Sequence, residues 1–121
     1  MSNEISYSFN LLLKNGSLND QFASTSKAAN QTVAGLVRNV QTIAIFPTTI
    51  NLGSVNVPGW SVFQNLDATN FVTIGTIVMG TVIATLKLKP GELVMCRLGM
   101  AIPVAVANLA PISLFYIIYE D

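Results

Sequence analysis

A chain without a histidine must draw acid–base or metal chemistry from carboxylates and thiols, and here those are Glu4, Asp20, Asp67, Glu92, Glu120, Asp121 and the single Cys96. Only Glu120 and Asp121 are sequence neighbours, so no spacing suits a metal ion or an acid–base pair. Cys96 alternates with Val94 and Leu98 on one strand face and reads as a small buried apolar group. Gly75 and Gly80 lack the following Lys-Ser/Thr of a phosphate loop. Asp67 has the best claim to a special role, yet within Asn65-Leu66-Asp67-Ala68-Thr69-Asn70 a short carboxylate accepts from nearby amides and makes a turn. Trp60 could stack on a sugar or a base, but as a lone aromatic it reads first as core. No catalytic residue, metal or cofactor is expected, and the chain does not read as an enzyme.

The charges are as sparse as the chemistry. Six basic and six acidic residues cancel, and Lys14, Lys27, Arg38, Lys87, Lys89 and Arg97 do not cluster into a footprint for nucleic acid. Lys87 and Lys89, two apart, share a strand face; they guard an exposed edge or touch an acidic neighbour. Only 10% of residues are charged against about a quarter in ordinary globular chains, 51% are hydrophobic, and the mean hydropathy is +0.56. Such a chain cannot cover its own exterior with charge. It lies in a membrane or hides part of its surface against neighbours, and the patterning favours neighbours. A single cysteine allows no internal disulfide and suits assembly in a reducing cytoplasm. Met1 to Glu4 shows none of the order of a secretory leader, so export by that route is not expected.

At 121 residues the chain is read as one domain spanning 1–121. Pro58 to Gly91 organises it. Pro58 to Gly75 reads as two apolar strands forming a hairpin about a polar corner held by Asp67 and Asn70, with Asn65 and Thr69 beside them. Pro90-Gly91 marks a second tight turn. Ile5, Tyr7 and Phe9 alternate with polar residues as a strand with one buried face, and Asn15-Gly16 suits a hairpin. Residues 19–39 are polar, with Phe22 as the large apolar anchor; they read as a strand or an extended arm in preference to a helix. The apolar windows 68–88 and 98–119 are long enough to span a bilayer, but Gly75, Gly80, Pro103, Asn108, Pro111 and many β-branched residues favour strands. The reading is all-β: an antiparallel β-sandwich, jelly-roll-like, of eight or nine short strands.

Gly59-Trp60, the run Asn65 to Gly75 and Leu88-Lys89-Pro90-Gly91-Glu92 together resemble small structural proteins of tailed bacteriophages. The likeness extends from Val33 to the C-terminus and is weaker before it. It implies a virion component with a β-sandwich core: a capsid cement or decoration protein that binds the major capsid protein and its own copies, a trimer by analogy, assembled in the host cytoplasm. The alternative is a fibre or baseplate accessory with a carbohydrate-facing surface at Trp60; a small membrane protein comes third. Phe22, Trp60, Lys87 and Lys89 are the interface candidates.

Overall fold

In the computed structural model, residues 4–99 and 102–121 are described. Met1–Asn3, where the sequence shows no export signal, and Met100 and Ala101 inside the second apolar window lie outside them. Every regular element among the described residues is a strand. The chain divides into two compact units, Met1–Thr32 and Val33–Asp121.

The first unit is a two-stranded ribbon. β2 (Asn10–Asn15) and β3 (Leu18–Ala23) pair antiparallel from Asn10↔Ala23 to Asn15↔Leu18. Gly16, at φ +59°, takes the first position of the two-residue turn between them, where a left-handed backbone matches the strand twist. β1 (Ile5–Tyr7) and β4 (Lys27–Ala29) extend the same antiparallel pairing. Between the two ladders the Ser24 amide donates to the Phe9 carbonyl, and the Phe9 amide donates to Ser24 Oγ. At the base the Gln31 amide donates to Glu4 Oε2, and this bond holds the Glu4 carboxyl below its ordinary range.

Ile5, Tyr7 and Phe9 therefore do not belong to a strand buried in a sandwich. They lie in a ribbon whose Leu11, Leu12, Leu13, Leu18 and Phe22 are all exposed. Residues 19–39 do not form one element either. Their first part is half of this ribbon, and Leu36 onward belongs to the second unit.

The second unit is a β-sandwich of eight strands: β5 (Leu36–Ile43), β6 (Thr48–Thr49), β7 (Pro58–Asn65), β8 (Val72–Val78), β9 (Thr81–Leu88), β10 (Leu93–Arg97), β11 (Val104–Ala107) and β12 (Ile112–Glu120). One sheet has the order β10-β7-β12-β5 and the other β6-β11-β8-β9. The pairings nest: β5 with β12, β6 with β11, β7 with β10 and β8 with β9, all antiparallel. This is one long hairpin folded over so that alternate pairs fall in opposite sheets, the connectivity of a jelly roll.

Pro58 to Gly75 is thus not a hairpin. β7 and β8 belong to opposite sheets, and the corner between them carries the chain from one sheet to the other. A crossing between sheets and a hairpin reversal need the same short polar residues, so local chemistry alone does not tell them apart.

The core lies between the sheets. Ile43, Phe63, Val72, Ile74, Leu114, Tyr116 and Ile118 are fully buried in it. β12 alternates buried and partly exposed along its whole length, so its period of two sets the register of both neighbours, β5 and β7. Gly80 lies in the turn between β8 and β9, where Met79 also has positive φ, the geometry of a type I′ turn. Gly75 has a different task. It faces a bulge in β9, and a Cβ there would collide with the Ile83 carbonyl.

Candidate interaction surface

Six of the candidate residues from the sequence converge on one corner. Asn65 ends β7 fully buried, and its side chain does what a backbone would: Oδ1 accepts from the Asp67 amide at 2.9 Å, while Nδ2 donates to the Asn70 carbonyl at 2.8 Å and the Leu88 carbonyl at 3.1 Å. Both amide hydrogens are used, which is what makes a buried carboxamide tolerable. Asp67 Oδ2 accepts from the amides of Asn70 at 2.6 Å and Thr69 at 3.0 Å and from Thr69 Oγ1 at 3.3 Å. The Asn70 amide, then that of Thr69, holds the Asp67 carboxyl below its ordinary range.

The second turn docks on the same point. The Gly91 amide donates to the Asn65 carbonyl, and the Asn65 amide donates to the Glu92 carbonyl. Across Lys89-Pro90-Gly91-Glu92 the Glu92 amide donates to the Lys89 carbonyl, with Gly91 at φ +79° as a type II turn requires, and the Lys89 amide donates to Glu92 Oε1. Asn70 gives its carbonyl to Asn65 and both its amide and its side chain to Asp67, while the side-chain oxygen that accepts the Asp67 amide is that of Asn65. The corner is architecture.

The four interface candidates are scattered. Phe22 lies on the ribbon. Lys89 sits in the turn just described. Lys87 is on β9, an edge strand, with Nζ 4.1 Å from the centre of the Phe71 ring. Trp60 belongs to the opposite sheet, on its outward face, with the Arg97 guanidinium 5.4 Å from its ring centre. That cation is its cross-strand partner, so a cation lies by the indole after all.

Around Trp60 the pairing builds a surface that no single stretch of sequence displays. Residues opposite one another in adjacent strands point to the same side of a sheet, so the outward face of β10-β7-β12-β5 can be read in rows. One row is Val40, Phe115, Gln64 and Leu93; the next is Arg38, Ile117, Val62 and Met95. In the third, Leu36 opposes Tyr119 and Trp60 opposes Arg97, with Gly59 and Trp60 together facing Tyr119 in a bulge. Nine of these twelve positions are apolar. A solvent-facing side would normally alternate to polar.

Leu36, Val40 and Leu93 are more than half exposed, Arg38 and Arg97 are exposed, and the other seven are half-buried. The two cations lie flat on the face: Arg38 is 5.8 Å from the Phe115 ring centre, and Arg97 stacks on Trp60 while bonding Asp121 at 2.6 Å. On the other sheet the corresponding outward row is Thr73, Val106 and Lys87.

Glu120 and Asp121, the one pair of acids adjacent in sequence, have structural partners. Asp121 holds Arg97, and Glu120 is buried, accepting from the amides of Asn56 at 2.7 Å and Val57 at 3.0 Å. Cys96 faces inward beside Val94, packed against the core, and burial pushes its thiol up. A shallow hollow of about 370 Å³ is lined by Thr49, Thr76, Ile77, Ile102 and Val104, none of them charged. Among the described residues no helix is long and apolar enough to cross a membrane, and no three His, Cys, Asp or Glu side chains gather to hold a metal ion. No protein-family model, curated protein or solved structure matches this chain.

Proposed function

We propose that this chain is a structural protein of a bacteriophage particle, a capsid cement or decoration protein that stabilises the particle by binding the capsid and its own copies. The observation that carries the reading is the outward face of β10-β7-β12-β5, where three adjoining cross-strand rows are apolar at nine of twelve positions and give way to Thr42 and Ser113 at one end. Exposed apolar area on this scale marks an interaction surface, and a flat four-stranded face with two stacked arginines fits a broad protein neighbour better than a small molecule. The likeness of Gly59-Trp60, Asn65 to Gly75 and Leu88 to Glu92 to small phage structural proteins supplies the setting. In that setting the copies associate as trimers, in a virion assembled in the host cytoplasm.

The rival reading, a fibre or baseplate accessory that binds carbohydrate at Trp60, has the exposed aromatic in its favour. The Arg97 guanidinium over the indole counts against it, because it covers ring area that a sugar would stack on. The test is the protein inventory of purified particles. The reading expects this chain at a copy number close to that of the major capsid protein, and particles stripped of it should break at lower temperature. A chain absent from particles, or present in a few copies at the tail tip with affinity for glycans, would overturn it.

A further inference from the structure

The ribbon of the first unit has two unlike faces. Cross-strand partners share a side, so Leu11 with Phe22, Leu13 with Asp20 and Asn15 with Leu18 form one face, while the other carries Asn10, Lys14, Asn19, Gln21 and Ala23 around Leu12. The first face is leucine and phenylalanine with one acid in their midst and Asn15 at its end, and it is open: Leu11 is 66% and Phe22 57% exposed. A lone two-stranded ribbon is marginal in water, and this one has no third strand to support it.

The same chain carries the opposite number. The outward face of β10-β7-β12-β5 is apolar with two arginines, of which Arg97 is bonded to Asp121. Neither Arg38 nor Asp20 has an ion-pair partner among the described residues. We propose that the ribbon of one copy lies with its Leu11, Leu13, Leu18 and Phe22 face on this outward sheet face of a second copy, bringing Asp20 to Arg38. Two flat β faces stack at about 10 Å, within reach of long side chains. An acid meeting a base inside an apolar contact fixes the register of the two faces and rejects misaligned copies. A contact from ribbon to sheet joins two different surfaces, so it builds a reciprocal pair, a closed ring or an open chain of copies, and the ring admits the trimer.

The inference rests on the self-association half of the proposed function and not on the capsid. Its test is sedimentation velocity of the full chain over a micromolar range, with Asp20→Arg, Arg38→Asp and the two combined. Each single change sets like charges against one another, and is expected to weaken association by about tenfold or more, with the double change restoring most of the loss. Phe22→Ser, on an exposed ribbon position where folding is not at stake, is expected to weaken association without a charge change. Single variants that associate like the parent, or losses that simply add in the double variant, would place the ribbon elsewhere and leave self-association standing. A parent chain that stays monomeric throughout the range would overturn both this seat and the self-association half of the functional reading.

Discussion

The Asn65 side chain donates to the carbonyl of Leu88, twenty-three residues further on, from a site with no solvent exposure. That bond ties the end of β7 in one sheet to the end of β9 in the other, where a jelly roll has no ladder to join them. Replacing Asn65 by leucine keeps the branched shape but strands the Leu88 and Asn70 carbonyls and the Asp67 amide. A loss of about 2–4 kcal/mol in folding is expected, measured by urea unfolding with an unchanged slope. A variant as stable as the parent would show that the corner holds itself together without its hub.

Glu120 makes a second clamp of the same kind. Its carboxylate receives the Asn56 and Val57 amides from a loop some sixty residues earlier, and its own amide donates to the Gly35 carbonyl. Glu120→Ala should cost about 3 kcal/mol, because two hydrogen bonds to a charged acceptor vanish and their donors stay poorly hydrated. Glu120→Gln, which retains one acceptor oxygen, should fall between the two in thermal unfolding.

Asp67 gives the corner a pH dependence of known sign. Its carboxyl is held below its ordinary value of 3.8, first by the Asn70 amide, so the unfolded chain binds the proton more readily than the folded one. The contribution is therefore complete above the ordinary carboxylate range and fades as pH falls through the lowered value. The difference in Tm between parent and Asp67→Asn should be present at neutral pH and close towards zero in acid. A difference that grows on acidification would contradict the assignment.

The division into two units makes a simple cut informative. Residues 33–121 contain all eight sandwich strands and the whole buried cluster, so this fragment should fold alone with a cooperative transition and an intact near-ultraviolet spectrum. By the seat proposed for the ribbon it should also be monomeric. A fragment that fails to fold would mean that the ribbon supports the sandwich core.

What could be read from the sequence is what local chemistry determines. The Pro90-Gly91 turn, the Asn15-Gly16 step and the amide-accepting Asp67 all work within a few residues, and all are seen in the structure. The errors lie where partners are remote. Pro58 to Gly75 was read as a hairpin because nothing near Asp67 reveals that β8 pairs with β11 and β9 and not with β7. Glu120 has no partner near it in sequence, and the 56–57 amides reach it only through the fold. The outward apolar face was legible only as an excess of hydrophobic residues over charge. Its location needed the register of four strands drawn from four separate parts of the chain, and only strand pairing brings Phe115, Val62 and Leu93 onto one face.

The central claim is that this face is an assembly surface, and substitutions at its open positions test it most directly. Val40 and Leu93 are each more than half exposed, so Val40→Glu with Leu93→Glu leaves the core untouched. The measurement is occupancy of the double variant on particles lacking the parent protein, read beside its thermal unfolding. The account predicts an unchanged Tm and occupancy lowered by about tenfold or more, since unpaired carboxylates would be buried on docking. Full occupancy at unchanged Tm would contradict it.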